Sequence, residues 1–360
     1  MRIKKALFLG TLCTAVSGMS LFAQAGVSYA KSAKETTEAS SEEATEVETE
    51  EETSEEVTYP ITIEHAFGET VIESKPERIA TVGWGNQDTP LALGIAPVGV
   101  SAANYGLVTD HKLHLWTDEA FADLGVEEPV VFDDVDGLDF EQISDCNPDV
   151  ILAAYSGMTQ EDYDTLSQIA PVIPYKENPW QTTWREQTIE NAEGMGMKPE
   201  GEKKVKEVED LIAEKLEEYP ELEGIPTAFC WISADDFSTF YVYLPTDPRA
   251  AYLLDLGLTL PESVQKLAGE TDDFNITVSR ENADQLDDIQ LMVVYGDEDL
   301  LKSLQEDKLM SQIPAIKNGA VALVDSTSAL AGASTPSILS IPYEIDEYLQ
   351  LLSDAAENIK

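Results

Sequence analysis

Short runs of β-branched residues alternate with helix-length segments along this chain, and the alternation occurs twice. The first set contains apolar runs at 78–83, 97–100 and 149–154. The second set starts at Pro226 with TAFCWI and continues with TFYVY, QLMVVY and AVALVD. Continuous apolar runs separated by helical segments are typical of parallel sheets that are covered by helices on both faces. The sequence therefore predicts two α/β units.

An internal repeat supports this division. The segments FEQISDCNPDVILAAYSG and RENADQLDDIQLMVVYGD each begin with a helical pattern, pass through an acidic turn and end in a hydrophobic strand with a tyrosine near a glycine. Glu141 precedes Tyr155 by fourteen positions, and Glu281 precedes Tyr295 by fourteen. The match is short, and it agrees with two lobes of similar build.

A single amphipathic segment, PEGEKKVKEVEDLIAEKLEEYPEL, separates the two units. The sequence predicts one helix over residues 200–218, about 28 Å long. One stripe of this helix is apolar and contains Val205, Val208, Leu211, Ile212 and Leu216. The pattern also suits an ordinary surface helix, but its place between two repeated units favours a connection along the back of both. We therefore expect an α/β fold of two lobes with mainly parallel sheets, 59–198 and 221–360, joined by one long helix within 199–220.

The amino terminus has the pattern of a secretory signal. Basic residues precede an apolar run from Ala6 to about Ala23, and small residues follow, as in a signal peptide. Cleavage sites after Ala25 and after Ala30 both fit; we prefer Ala30, which makes residues 1–30 the signal. An uncleaved membrane anchor is the alternative, because the run is near the lower length limit for a span. The rest of the chain is predicted to be extracytoplasmic, at the cell surface or secreted.

The cysteines favour neither a lipid anchor nor a disulfide framework. A lipobox has Leu three places before the Cys, whereas Cys13 follows Gly-Thr-Leu, so the mode of attachment stays open. Two cysteines remain after the signal, Cys146 and Cys230. They fall in different predicted lobes, and we expect both to be buried free thiols.

The chain is strongly acidic. Residues 31–58 are mostly Glu, Thr and Ser and bury too little apolar surface to offset the entropy of ordering, so we expect an acidic disordered linker. Of 22 basic and 69 acidic residues, positions 1–57 contain 5 and 11, which leaves 17 against 58, a net charge of −41 for the remainder. Nothing in such a domain could neutralise a phosphate backbone, so nucleic acid is excluded as a partner.

Four stretches resemble the iron-siderophore binding proteins of ABC importers. They are ITIEHAFGETVIESKPERIATVGWGNQDTPLALGIAPVGV, FEQISDCNPDVILA, YLPTDPRAAYLLDLGLTLP and SILSIPYEIDEYLQLL, and the likeness covers nearly all of residues 59–352. The resemblance implies two α/β lobes on one rigid helix, a ligand in the groove between them and limited closure on binding. It implies no resident cofactor, since the ligand is a ferric siderophore that a monomer delivers to an ABC transporter permease dimer for iron uptake.

The resemblance also implies one acidic residue on each lobe that pairs with arginines of the permease. Glu141 and Glu281 match these positions, one per lobe. Each is predicted at the start of a helix, and because such helices run antiparallel to the strands, the helix start lies at the rim of the groove. The alternative is a simple favourable charge at a helix N-terminus.

Aromatic and arginine side chains are predicted around the groove, because ligands in open α/β sheets bind beyond the carboxyl ends of the strands. The candidates at or just past strand ends are Trp84, Tyr155, Trp231 and Tyr295. The other candidates are Tyr105 after the second strand, Trp184 and Arg185 on the helix that closes the first lobe, and Tyr243 and Arg249 in the second lobe. Flat amphipathic rings suit a bulky chelate, with core packing as the alternative for each ring. Trp116, Trp180 and Tyr175 are interpreted as packing or loop residues.

The arginines indicate which chelates fit. There are five in the chain, and only Arg185 and Arg249 are candidates for the groove, where a guanidinium can fork onto chelate oxygens or stack on a ring. Two cations in so acidic a domain would hold a trianionic ferric catecholate poorly. Neutral or cationic chelates such as hydroxamates are therefore favoured.

Other functions remain as alternatives. A free zinc or manganese binder of similar architecture needs about three histidines with a carboxylate, and the chain contains only His65, His111 and His114; we expect the last two on a polar loop and no metal site. Haem or cobalamin could be the cargo of the same fold. An extracellular hydrolase would need a nucleophile with a base, and no such motif is present. A surface adhesin or sensor is the remaining alternative.

Overall fold

The fold contains an amino-terminal β-hairpin and two separate five-stranded sheets. The structure, a computed structural model, describes residues 57–134 and 137–360. The predicted signal of residues 1–30 and nearly all of the 31–58 linker lie outside the described residues. The hairpin pairs β1 (Ile61–His65) with β2 (Gly68–Ile72) in antiparallel register.

The first sheet is entirely parallel, with strand order β5-β4-β3-β6-β7. Its strands are β3 (Ile79–Thr81), β4 (Gly99–Ser101), β5 (Val131–Phe132), β6 (Val150–Ala153) and β7 (Val172–Pro174). Its helices are α1 (Asp88–Ala92), α2 (Leu115–Asp123), α3 (Phe140–Asp145), α4 (Gln160–Leu166) and α5 (Trp184–Gly194). Every residue of these strands except Val131 is buried, because helices cover both faces of the sheet.

The second sheet is mixed, with strand order β10-β9-β8-β11-β12. Its strands are β8 (Thr227–Trp231), β9 (Thr239–Tyr243), β10 (Asn275–Ser279), β11 (Leu291–Tyr295) and β12 (Val321–Val324). Strand β9 runs antiparallel to both β8 and β10, while β8, β11 and β12 are parallel. The carboxyl ends of β8, β10, β11 and β12 therefore lie at one edge.

Six helices belong to the part of the chain after this sheet begins: α7 (Pro248–Asp255), α8 (Glu262–Ala268), α9 (Glu298–Glu306), α10 (Pro314–Asn318), α11 (Ala329–Ala333) and α12 (Ser340–Ala356). Short 3₁₀ turns occur at Pro220–Leu222, Arg280–Gln285 and Met310–Gln312. None of the helices in the described residues is long and apolar enough to cross a membrane.

The predicted connecting helix is present as α6 (Lys198–Leu216), with Pro199 in its first turn. The apolar stripe packs as predicted: Val205, Val208 and Ile212 are buried in a core shared with the second sheet. The helix contacts α5 of the first lobe and α12 near the carboxyl terminus. It therefore spans the two halves, as an α/β fold with one long connecting helix requires.

The two repeated segments end in strands that occupy equivalent positions in the two sheets. Strand β6 and strand β11, which close the two repeated segments, are each fourth in a five-strand order and each lie beside the central strand. The two segments differ at their helical ends, because Glu141 lies in the first turn of the α-helix α3 whereas Glu281 lies in a 3₁₀ turn.

A buried carboxylate, Asp88 of α1, joins the first lobe to the segment between α11 and α12. It accepts hydrogen bonds from the Trp116 indole at 2.9 Å, from the Thr117 hydroxyl at 2.8 Å and from the Ser337 hydroxyl. Burial raises the pKa of Asp88 from 3.8 to about 6, although these hydrogen bonds oppose the shift. Since this pKa is raised, the stability contributed by the neutral carboxyl is complete below pH 3.8 and is lost as the pH rises through about 6.

We expect Asp88→Ala to lower the free energy of unfolding by about 2–4 kcal/mol, because three buried donors lose their acceptor. The loss should be measured by urea denaturation near pH 5, where the Asp88 carboxyl is mostly neutral. At this pH the substitution does not also remove an unfavourable buried charge. The control is Asp123→Ala at the exposed end of α2, which should change stability by at most about 0.5 kcal/mol. Equal stability of the two variants would contradict this role for Asp88.

Candidate functional site

An aromatic cavity lies between the two lobes. Its volume is about 400 Å³, and eight of its ten lining residues are aromatic. The lining consists of Trp84, Tyr105, Tyr155, Trp180, Trp231, Tyr243, Arg249, Phe274, Tyr295 and Thr335. A cavity of this size and composition suits a bulky ligand with flat or apolar surfaces and a few polar groups. We call it the main cavity.

In the first lobe, Trp84 and Tyr155 lie on two turns that are joined by hydrogen bonds. Trp84 follows β3, and its backbone N–H donates to the Tyr155 carbonyl at 3.1 Å. Asn86 locks the same turn, since its side-chain amide donates to the Tyr155 carbonyl and accepts from the Tyr155 N–H. Gly83 is needed here: its φ is +84°, and a Cβ would lie 2.7 Å from the Tyr155 carbonyl oxygen. The ends of β3 and β6 are therefore held in close register.

Trp180 completes the aromatic wall of the first lobe. Its ring meets that of Tyr155 edge-on, with 5.3 Å between centroids, and packs against Gly157, where a Cβ would lie 2.4 Å from the indole nitrogen. The backbone of Trp180 has φ of 61°, in the left-handed region that side chains other than glycine rarely adopt. Such strain is typical of functional sites. The indole remains 38% exposed.

The second lobe supplies a cluster of rings around Phe229. Trp231 and Tyr295 end β8 and β11, as predicted for residues at the carboxyl edge. Tyr243 ends β9, which runs the opposite way, so it lies beside Phe229 with 5.8 Å between ring centroids. Phe229 also contacts Tyr295 at 5.2 Å. Burial raises the pKa of Tyr155, Tyr243 and Tyr295, so their hydroxyls stay protonated and can donate hydrogen bonds at neutral pH.

Arg249 is the charged residue of the main cavity lining. It lies in the first turn of α7 and forms a fork with Asp247, through Nε at 2.8 Å and Nη2 at 2.6 Å. Its guanidinium also stacks over the Tyr243 ring at 3.9 Å. Burial opposes the charged form, but the hydrogen bonds and charge of Asp247 outweigh it and raise the pKa of Arg249. Asp247 is fully buried, so the guanidinium is fixed in place and its charge is locally compensated.

Several contacts join the two lobes, and two of them involve residues near the aromatic lining. The Tyr105 ring, on the loop after β4, meets the Tyr295 ring edge-on at 5.2 Å. At another point, the Gln181 side chain donates to the Asp272 carbonyl at 2.6 Å. The lobes are therefore in direct contact at both places.

Seven of the nine predicted ligand-binding residues line the main cavity, but Trp184 and Arg185 do not. Trp184 is 2% exposed, lies in the core and donates its indole N–H to Asp255 at 2.9 Å. Arg185 pairs with Glu209 of α6 at 2.6 Å and with Asp255 at 2.7 Å. The placement of both in the groove was wrong, because the start of α5 faces the connecting helix and α7.

Three lining residues were not predicted. Trp180 was assigned to packing or a loop, although the Asn178-Pro179 pair before it signals a turn after a strand, where an aromatic ring can be presented to a cleft. Phe274, before β10, and Thr335, after α11, lie in loops with no comparable sequence signal.

Glu141 and Glu281 are both exposed at the carboxyl edges of their sheets. Glu141 lies in the first turn of α3, which follows β5. Glu281 follows β10, whose end shares an edge with those of β8 and β11. Their positions at the rims, one on each lobe, are therefore as predicted, whereas their role in docking stays a prediction.

The histidines and cysteines are structural in the described residues. His65 is buried and bonded to Thr70 at 2.9 Å, while His111 pairs with Asp118 at 2.7 Å. His114 was expected on a polar loop, but it is buried behind Trp84, with 5.1 Å between ring centroids, and burial lowers its pKa to about 4. Cys146 and Cys230 are buried and free, which confirms that prediction.

Comparison with known proteins agrees with this architecture. Residues 79–327 match the periplasmic binding protein family. The crystal structure of PiaA from Streptococcus pneumoniae TIGR4 in complex with ferrichrome shares 48% sequence identity, covers 83% of this chain and 100% of that chain, and superposes with a TM-score of 0.80. A second structure of PiaA, described as an iron uptake ABC transporter substrate-binding protein, shares 46% identity over the same fractions, with a TM-score of 0.77.

A relative with lower sequence identity also matches most of this chain. The petrobactin-binding protein YclQ of Bacillus subtilis strain 168 is 24% identical over 306 residues, which are 81% of this chain and 88% of that protein. The family match extends over more than half of the chain, and the PiaA match over nearly all of its described part. The chain belongs to the periplasmic binding protein family, with two α/β lobes on a long connecting helix.

Proposed function

We propose that this protein is the extracytoplasmic substrate-binding component of an ABC importer and that it captures a ferric siderophore in the main cavity for iron uptake. The observation that carries the proposal is the lining itself: eight aromatic rings around one fixed guanidinium. Rings bury a large area at small entropic cost and keep polar edges for hydrogen bonds. A siderophore complex offers both apolar surface and an oxygen-rich iron centre to such a lining.

The relatives support this cargo. PiaA is described in complex with ferrichrome and as an iron uptake protein, and YclQ as a petrobactin-binding protein. PiaA matches along its whole length, so the same two-lobe groove is the natural place for a chelate in this chain.

The electrostatics favour hydroxamates over catecholates. The guanidinium of Arg249 is paired with the buried carboxylate of Asp247, so the cavity carries little net positive charge of its own. The part of the chain after residue 57 has a net charge of −41 (17 basic against 58 acidic residues). A trianionic catecholate complex would meet repulsion in this field, whereas a neutral or cationic hydroxamate complex would not.

The alternatives have less support in the geometry. The described residues that line the main cavity include no His, Cys, Asp or Glu, so they offer a bare zinc or manganese ion none of its usual imidazole, thiolate or carboxylate ligands. For a hydrolase, the same lining offers neither a histidine base nor a carboxylate next to a nucleophile. A chelate that already saturates its iron needs only shape and hydrogen bonds.

Transfer to the transporter would use the rims of the lobes. Glu141 and Glu281 lie there, exposed and one per lobe, so a permease dimer with basic residues at matching positions could engage both at once. We propose this docking for a monomer that works outside the cytoplasm, with no nucleic-acid partner.

We expect binding of a ferric hydroxamate to quench intrinsic tryptophan emission, because Trp84, Trp180 and Trp231 line the main cavity and the iron chelate absorbs light. The iron-free chelator should quench less. Replacing each of the three by Phe should reduce the quench, and Trp184→Phe, in the core, should reduce it least. If no ferric siderophore in a broad panel changes either the fluorescence or the melting temperature, the proposed cargo is wrong.

We expect Arg249→Lys to weaken binding of a ferric hydroxamate about tenfold, because Lys keeps the charge but loses the planar fork and the ring stacking. Lys is preferred to Ala as the test, since Ala would leave Asp247 buried and unpaired at a cost of about 3–5 kcal/mol. Arg185→Lys is the matched control outside the cavity and should bind normally in the same titration. Wild-type affinity in Arg249→Lys would remove this residue from the site.

We expect Glu141→Ala and Glu281→Ala to reduce transport and permease-stimulated ATP hydrolysis while the affinity for soluble ligand stays unchanged, because each removes one rim charge. Reversal to Arg should be worse, since like charges would meet at the interface. The control is Glu262→Ala at the start of α8, whose neighbour Ser263 bonds to Asp288 before β11, at the opposite edge of the sheet. Full uptake by the double alanine variant would leave only the helix-start explanation.

A further inference from the structure

One buried histidine lies behind two residues of the main cavity lining. His114 directly precedes α2, at the end of the loop that follows β4, and is 3% exposed. Its ring lies 5.1 Å from the Trp84 ring between centroids, and its Nε2 lies 3.0 Å from the backbone oxygen of Tyr105. Trp84 and Tyr105 line the main cavity, whereas His114 is not among the described lining residues. A single imidazole therefore contacts two lining residues from behind.

The hydrogen bond to Tyr105 fixes the state of the imidazole. A carbonyl oxygen only accepts, so Nε2 of His114 carries the proton and donates it to this bond. Burial lowers the pKa of His114 to about 4, although the bond to the Tyr105 backbone opposes the shift. The ring is therefore uncharged at neutral pH, with Nε2–H as its donor. It supports Trp84 without placing a positive charge behind the cavity wall.

The loop that contains Tyr105 is in close contact with the second lobe. The Leu107 N–H donates to the Ser328 carbonyl at 2.9 Å. Gly106 has a φ of +79°, and a Cβ at this position would lie 2.7 Å from the backbone nitrogen of Gly332. The backbone on the carboxyl side of Tyr105 is therefore held against the second lobe, while the bond to the imidazole holds the carbonyl of Tyr105 itself.

The imidazole is closely packed on several sides. A Cβ at Gly332 of α11 would lie 2.7 Å from Nε2 of His114 and 2.9 Å from its Cδ2. The His114 ring also stacks on the Trp116 ring, with 4.5 Å between centroids and 20° between planes. With Trp84 as a third neighbour, the ring has little freedom to turn. Its Nε2–H therefore stays directed at the Tyr105 carbonyl.

We propose that His114 is a positioning residue for ligand capture, because its Nε2–H holds the Tyr105 backbone and so orders the Tyr105 ring in the main cavity before the ligand arrives. The inference rests on the proposed function of that cavity and adds a residue outside its lining. A side chain that is already ordered loses less conformational entropy on binding, so this preorganisation raises affinity. Tyr105 is 36% exposed, so packing of its own ring holds it only in part and the backbone bond matters.

We expect His114→Phe to weaken binding of ferrichrome, a ferric trihydroxamate, about fivefold. Phe keeps a ring against Trp84 but cannot donate to the Tyr105 carbonyl. His114→Gln should bind more tightly than His114→Phe, because its amide again supplies a donor. Titrations of the full protein are followed by calorimetry and by tryptophan quenching. The matched control is His111→Phe, at the histidine of the same loop that bonds to Asp118, and it should bind as the wild type does.

A double-mutant cycle separates positioning from a general loss of structure. In a Tyr105→Ala background no ring remains to be positioned, so His114→Phe should weaken binding by less than about twofold. The melting temperature of each unliganded variant is measured alongside. A merely structural role would lower the melting temperature but leave the two substitutions additive in their effects on affinity.

Gly332→Ala provides a second test that leaves His114 in place, and it decides even if His114→Phe does not fold. The added Cβ would displace the imidazole, so this variant should also bind ferrichrome more weakly. The loss should again be smaller in the Tyr105→Ala background.

Wild-type affinity in both His114→Phe and Gly332→Ala would overturn the positioning role, and so would losses that are equal with and without the Tyr105 ring. Weaker binding by His114→Gln than by His114→Phe would overturn the hydrogen bond as the cause. In each of these cases the main-cavity proposal stands, because the wild-type protein still binds ferrichrome. If the wild-type protein binds no ferric hydroxamate, the proposed capture fails and the positioning role with it.

Discussion

The buried carboxylate of Asp88 connects the two parts of the protein on which the site depends. It bonds to Ser337, in the segment that follows α11, and to Trp116 and Thr117 of α2. The Trp116 ring stacks on His114 at 4.5 Å, and His114 lies behind Trp84 of the main cavity. A change in the position of the segment after α11 would therefore reach the cavity wall through three rings. Since this packing leaves little room for adjustment, the wall of the first lobe is a rigid surface.

The main cavity carries little net charge, although the chain as a whole is very acidic. Among the described residues that line the main cavity, only Arg249 is a cation, and Asp247 both fixes it and offsets its charge. The proposed ferric siderophore would therefore be held by the shape and hydrogen bonds of the lining more than by net charge.

Strand ends were predictable from the sequence, and side-chain partners were not. Trp84, Tyr155, Trp231 and Tyr295 were identified because β-branched runs mark the strands and parallel strands present their carboxyl ends at one edge. Trp184 and Arg185 were misplaced because the helical pattern of α5 gives its period but not the element it faces. Asp255 and Glu209, which hold them, lie 71 and 24 residues further along the chain. Trp180 was missed because its exposure depends on a left-handed backbone that no local residue pattern demands.

Local patterns in the sequence determined the two α/β lobes, the long helix between them, the acidic character and the small set of aromatic and arginine candidates. These features depend on local periodicity and composition, which the chain carries at every position. Tertiary structure alone decided that β9 runs antiparallel, that Trp184 and Arg185 face away from the groove, and that rings from both lobes line one cavity. Each of these depends on contacts between distant segments, whose geometry is set by how the sheets and helices pack together and is not specified by any short stretch of sequence.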